Sequence, residues 1–463
     1  MSNNLWILTE ERPKASVIGQ ILNLYVKDFQ GVIEQLGSIK IKPIINSGIF
    51  EFRYLVEGIK VKDISEIVIK TVSGNSSFFD FLVFVQEHEP LENDNNTLLM
   101  AIEETKTSDD ESRNTGVYQR ASKFAFIDAY YENVKLYMLY NEELEAREFK
   151  KPSDTSIFGT NMLLTIGAEI VGKDIAKWFK PFSSLEEMIA FKSAMRKPPA
   201  GNVPIDITIF EDRIEISGRL SKPADAGNIG HDPNIGALSI ISKCIRHFGW
   251  KKDILITKHG ISQEYIDKTQ GKNKFLYICS LLRLKLEGID LLQYSSLPDS
   301  YWHYEKQSEK MASILLHVLG EYNGMIGIYQ NHAGCERGYY KTPENKLIAL
   351  PKKDSKGVNL YLPDLVLYDP KTNVIILVEG KKISTLKDGL KEIAYYDSIE
   401  NEYIKKDYPE CTIQRYISIF GGNDNSIPHQ TVILYLNNSG DIFINKDAPL
   451  CIKEIFRAEG VNI

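Results

Sequence analysis

The sequence predicts a mixed α/β (α+β) protein built from two cores, each a mixed central sheet flanked by helices, joined by a middle α+β region. Three observations lead there. Runs of β-branched and aromatic residues bounded by turn formers are interleaved with helical apolar periods. One local order (strand, acid-x-Lys strand, helix, strand) occurs twice, at about 78–140 and again at about 361–419. Between the copies lies enough chain for a further region, with its own helix and hairpin signals. The expected segments are 1–197, 198–300 and 301–463, with a boundary marked by Arg196-Lys197-Pro198-Pro199.

Composition sets the class. The chain has 463 residues, 43% hydrophobic and 25% charged, as in soluble globular proteins of two to four domains. No run approaches the roughly 18 apolar residues of a membrane span. Met1-Ser2-Asn3-Asn4-Leu5-Trp6 carries no secretory pattern. Five dispersed cysteines (Cys244, Cys279, Cys335, Cys411, Cys451), without C-x-x-C spacing, suit reduced thiols in a cytoplasm and argue against structural zinc. The net charge of −7 decides nothing about nucleic acid, because binding rests on local patches. The chain has no G-x-x-x-x-G-K-[ST], which argues against nucleotide-driven translocation, and neither G-x-S-x-G nor H-E-x-x-H occurs.

In chain order, 5–29 reads as a helix with Thr9 as N-cap, Glu10 and Glu11 in the first turn, and Pro13 near its start. Short strands are expected at 40–45, 49–56 and 67–72, then 78–86 and 98–106. On the last of these Glu104 and Lys106, two apart, share a face, with Glu103 and Thr105 opposite; Asp80 lies on the neighbouring strand. A polar loop containing Arg113 leads into a helix at 117–133 with Gln119, Arg120 and Lys123, and a strand follows at 134–140. In the middle region 205–217 alternates around Glu211-Asp212 as a hairpin. Helices are expected at 235–248, with Lys243, Arg246 and His247 outward, and at 274–286, with Arg283 and Lys285 on the polar side. A strand at 253–257 precedes the turn Lys258-His259-Gly260. His231 and His259 have no ligand partner at convincing spacing, and read as loop or DNA-contacting residues.

The second copy begins with a helix at 308–319, headed by Ser308-Glu309, and strands at 325–330 and 360–368. The segment 361–382 is a hairpin turned by Asp369-Pro370 and Thr372-Asn373. Glu379 and Lys381 share one face of its second strand, with Val378 and Gly380 on the other, and Asp364 reaches the same edge. A helix at 387–403 and strands at 413–419 and 431–435 complete this core. Two carboxylates and an ammonium meeting at a sheet end suit a divalent cation and a water between them, hence metal-assisted hydrolysis.

Pro363-Asp364 with Glu379-x-Lys381 resembles the signature of the PD-(D/E)XK nuclease superfamily, to which most type II restriction endonucleases belong. The resemblance implies that Asp364 and Glu379 hold Mg²⁺ while Lys381 orients or deprotonates the attacking water. Asp80, Glu104 and Lys106 would do the same in the first copy, where Phe79 replaces the proline. It further implies that Glu309 and Glu11 can join the metal sites, and that Gln119 or Lys123 can approach the site or the DNA backbone. Arg113, Lys243, Arg246, Lys258 and Arg283 are the remaining candidates for DNA contact, as basic residues on helix faces and loops. Two unlike cores in one chain resemble restriction enzymes that cut an asymmetric sequence in double-stranded DNA, one strand per site, alongside a cognate DNA methyltransferase. Alternatives stay open: a homodimer with one core used for recognition, a non-catalytic DNA-binding protein on the same scaffold, or a repair or mobile-element nuclease.

Overall fold

The computed structural model describes residues 3–10, 12–74, 79–91, 97–105, 116–131, 133–140, 152–172, 178–195, 205–218, 233–269, 274–291, 304–305, 309–332 and 339–463. It is mixed α/β, and its residues form two compact units. The first takes Met1–Ser73, Val83–Pro90 and Tyr304–Ile463; the second takes Gly74–Leu82 and Leu91–His303. These units do not follow the three expected segments. The first 73 residues join the last third of the chain because their backbone groups pair with it: Phe50 N–H donates to the Gly440 carbonyl at 2.8 Å and Ile442 N–H to that of Gly48 at 3.3 Å. Phe52 and Phe420 meet edge to face, and the Tyr322 hydroxyl donates to Glu57.

In the first unit a six-stranded sheet runs Ile326–Gln330, Leu365–Asp369, Val374–Lys382, Thr412–Phe420, Val432–Leu436, Ile442–Ile444, in sequence order. Its first two pairings are antiparallel, the next two parallel and the last antiparallel. Leu365, Val366, Leu367 and 375–378 are fully buried, which is why these strands read as continuous apolar runs rather than as alternations. Helix Met311–Tyr322 lies on the face of Leu367 and Gly380. The helical stretch 386–407 covers the opposite face, with Tyr396, Ile399 and Ile404 packed among Ile375 and Leu377.

The N-terminal reading changes. Asn3–Thr9 is a strand, parallel to Ile64–Thr71, and the helix is Ala15–Phe29 with Lys14 at its N-cap. Leu5, Trp6, Ile7 and Leu8 are all buried, so the run has no solvent face for a helix to present. Thr9 is therefore not the cap, and Glu11 lies outside the described residues. The meander is confirmed with longer strands, Ile33–Asn46, Ile49–Val61 and Ile64–Thr71.

In the second unit Leu98–Thr105, Lys135–Tyr140 and Glu169–Gly172 are parallel neighbours, and helix Gly116–Tyr130 connects the first two. A second sheet holds the expected hairpin Asp206–Ile209 and Arg213–Ser217, then Asp253–Thr257 and Leu284–Leu286 in parallel. The helix expected at 274–286 stops at Leu282, because Arg283 takes φ +53° and the next three residues pair with the neighbouring strand. Helix Pro233–His247 crosses Gly116–Tyr130 so closely that a Cβ on Gly236 would lie 1.6 Å from the Tyr118 carbonyl oxygen. That approach requires glycine and makes the middle region part of the same compact unit as Leu98–Tyr140. Helices Asp154–Thr165, Leu185–Ala194 and Gln263–Thr269 went unread in the sequence. Among the described residues no helix is long and apolar enough to cross a membrane.

Candidate active sites

Asp364 occupies the bend just before strand Leu365–Asp369, and Leu365 pairs with Val378, so the carboxylate falls beside Glu379 and Gly380. The Gly380 N–H donates to Asp364 Oδ2 at 2.8 Å. Glu379 and Lys381 emerge on the same face, as expected for residues two apart, and Lys381 Nζ stands 2.8 Å from Glu379 Oε1. From 386–407, Glu392 takes the other side of Lys381 at 2.7 Å, and the Tyr396 hydroxyl donates to Glu379 Oε2. These two helical residues, four apart, were not read from the sequence; their spacing was the available signal.

Lys310, at the head of helix Met311–Tyr322, places its ammonium 2.5 Å from Asp364 Oδ2 and 3.9 Å from Glu309 Oε1. Glu309 thus reaches the rim of the site without touching the acid pair. Two glycines make the room. A Cβ on Gly380 would lie 3.0 Å from Ser313 Oγ and 3.3 Å from Asp364 Oδ2; one on Gly389 would lie 2.8 Å from the Lys381 stem.

Both carboxylates are buried. Burial, then the charge of Asp364, pushes Glu379 up to about 7 against its hydrogen bonds from Lys381 and Tyr396. Asp364 is also raised, by burial, with Lys310 opposing. Burial alone would lower Lys381, but its bonds to Glu379 and Glu392 outweigh that and hold the ammonium above its usual range. Beyond Gly380 a buried polar chain continues: Ser313 Oγ meets His332 Nδ1 at 3.2 Å, His332 Nε2 meets His317 Nδ1 at 3.0 Å, and His317 Nε2 lies 3.2 Å from Glu321. Arg12 closes the chain on Glu321 and donates to Gln330 at 2.6 Å.

The second unit repeats the arrangement one residue out of step with the expectation. Asp80 stands just before strand Phe81–Gln86, and its Oδ2 accepts from the Glu104 N–H at 2.6 Å. The residue donating to the aspartate follows Glu379 in one unit and Glu103 in the other, so Glu103, not Glu104, is the counterpart of Glu379. Glu103 is buried and raised to about 7, first by burial and then by the charge of Asp80. Its cations come from helix Gly116–Tyr130: Lys123 Nζ at 2.6 Å and Arg120 Nε at 3.5 Å. Glu104 uses its backbone to hold Asp80 while its side chain takes the other face. Lys106, Arg113 and the Gln119 side chain lie outside what is described. The adjacent pair Glu103-Glu104 left the register open, and a slip of one residue swaps the faces.

Two of the other basic candidates serve structure. Lys243 pairs with Asp128 at 2.5 Å. Arg246 donates to the carbonyls of Leu282, Trp250, Lys252 and Arg283, tying helix Pro233–His247 to the chain around it. His259 is buried between Glu287 O and Ile261 N, both at 2.9 Å. Lys258 and Arg283 are exposed; His231 is outside the described residues.

Among the described residues no group of three or more His, Cys, Asp or Glu could hold a metal ion. Each unit offers a pair of carboxylates instead. No protein-family model, no curated protein and no solved structure matches the chain.

Proposed function

We propose that the chain is a metal-dependent endonuclease of the PD-(D/E)XK type that cuts double-stranded DNA, one strand at each of two unlike sites. The observation that carries this reading is the repeated group of aspartate, glutamate and ammonium at a sheet end: Asp364, Glu379 and Lys381, and Asp80, Glu103 and Lys123. A salt bridge on a sheet edge accounts for one such group, not for two with the same aspartate-to-backbone bond.

The donors suit magnesium. In the first unit both carboxylates are raised by burial, Glu379 also by the charge of Asp364, so the pair gains from a divalent cation, and magnesium needs few protein ligands because it keeps its waters. Asp364 with Glu379, and Asp80 with Glu103, would hold it; when bound it supplies Lewis-acid polarisation of the phosphate and a more acidic water. The chain's own groups do the rest. Lys381, fixed between Glu379 and Glu392, offers a preorganised ammonium to a water and to the charge growing on the phosphate. Tyr396 sets the rotamer of Glu379, and Lys310 neutralises Asp364. In the other unit Lys123 supplies the ammonium from its helix.

Cutting at a short asymmetric sequence, in a restriction system with a cognate DNA methyltransferase, is the biological setting this reading favours, since two different sites remove the need for a two-fold dimer. Supercoiled plasmid incubated with the protein and Mg²⁺ should go to discrete linear products, and chelator should stop it. Intact plasmid under varied sequence, salt and metal would overturn the reading.

A further inference from the structure

Tyr361 and Tyr395 stack on one another at the surface, ring centroids 4.9 Å apart and planes 27° from parallel, with 44% and 55% of their surfaces exposed. Burial is not what holds them there. Each is tethered to the site in the first unit: Tyr361 precedes Asp364 by three residues, and Tyr395 precedes Tyr396, whose hydroxyl holds Glu379. Three residues of extended chain span at most about 10 Å, roughly three steps along a DNA strand.

The rim is basic. The loop 351–359 exposes Lys352, Lys353 and Lys356, and it is pinned to the helical stretch that carries Tyr395. Ser398 donates to Asp354 at 2.8 Å, and the Ser355 N–H donates to Glu402 at 3.1 Å. The acids here are spent on internal bonds, since Asp397 pairs with Arg415 at 2.5 Å. Lysines therefore supply the charge facing solvent beside two exposed π faces. Stacked aromatics in a basic surface recognise bases that have left the duplex stack, because every base has a face to offer and the phosphates follow the lysines.

We propose that the Tyr361–Tyr395 pair is a stacking platform for an unpaired nucleobase of the strand cut at the Asp364–Glu379 site, so that this unit engages DNA with a locally opened strand. The inference rests on the nuclease reading and adds the state of the substrate. The ring gap is already closed, so the base stacks on the outer face of the pair rather than between its members.

The test uses the full-length protein in chelator, with fluorescence anisotropy on two labelled duplexes of one mixed sequence, one fully paired and one carrying a single unpaired thymine. Wild type should prefer the second. Tyr361→Ala with Tyr395→Ala should lose about tenfold on the unpaired duplex while keeping its affinity for the paired one, which also shows that the variant is folded. The double Tyr→Phe variant should match wild type. Replacing Lys352, Lys353 and Lys356 by Gln should weaken both duplexes and reduce the slope of log K against log salt by about 2.7. If the double alanine variant binds the unpaired duplex as wild type does, the platform is refuted while DNA binding stands. If wild type binds neither duplex at low salt, the platform and the nuclease reading fall together.

Discussion

The two acid pairs solve one electrostatic problem with different parts. In both, an aspartate just ahead of a strand, buried at Asp364 and half-buried at Asp80, accepts a backbone N–H from the neighbouring strand, and the buried glutamate preceding that N–H is raised to about 7. The cation differs. In the first unit it is Lys381, two residues on along the same strand; in the second it is Lys123, from the helix behind. The carboxylates are fixed by strand pairing, whose hydrogen bonds leave little freedom, whereas an ammonium on a four-carbon stem can reach the same point from either element. The lysine is thus the interchangeable part.

The largest expected effects break the comparison at that part. Lys381→Ala and Lys123→Ala should each cut the rate on one strand by about 10²- to 10⁴-fold and leave nicked plasmid, with opposite strands spared, as read on denaturing gels. Lys106→Ala is the discriminating control: a nicked product there would restore the register expected from the sequence. Glu103→Gln should likewise abolish one cut, and Glu104→Gln should spare it because that residue holds Asp80 through its backbone.

Next comes pH. His317 is held down to about 4, first by burial and then by Arg12, with Glu321 opposing; His332, Lys14, Arg12 and Glu321 are the groups it faces. An ordinary histidine in the unfolded chain binds its proton near 6.5. Between 6.5 and 4 the unfolded state therefore takes up more protons, so stability is complete above 6.5 and falls as the pH drops through that window. At about 1.4 kcal/mol per pH unit the loss is about 3 kcal/mol. Hydrogen exchange of helix Met311–Tyr322 should show the first unit weakening across that range, and His317→Gln should flatten the dependence. The smallest effect separates the two aspartate holders. Gly380→Ala pushes on Ser313 and Asp364 and should cost about 1–3 kcal/mol in thermal unfolding. Glu104→Ala, where a side chain is already accommodated, should leave the backbone bond intact.

Much of this was legible in the chain. The hairpin around Asp369-Pro370 and the shared face of Glu379 and Lys381 follow from strand alternation, and the structure has both. Strand Asp253–Thr257 and the hairpin before it were bounded by clear turn formers. Failures came where periodicity has no purchase. Leu5-Trp6-Ile7-Leu8 is buried on every side and carries no period, and Glu103-Glu104 offers an acid to either face. Lys310 reaches its site from another element, which no local pattern reports, whereas Lys123 was among the helix residues expected to approach the site or the DNA backbone.

The first unit is assembled from both sides of an interruption, since Met1–Ser73 packs with Tyr304–Ile463. On a ribosome adding about 5–20 residues each second, strands Ile33–Asn46 and Ile49–Val61 can pair with each other at once, but the turn between them waits tens of seconds for Gly440 and Ile442. Asp364, Glu379 and Lys381 are synthesised only toward the end of that interval. A nascent chain thus cannot assemble this acid pair early, and one truncated before Asp364 cannot assemble it at all.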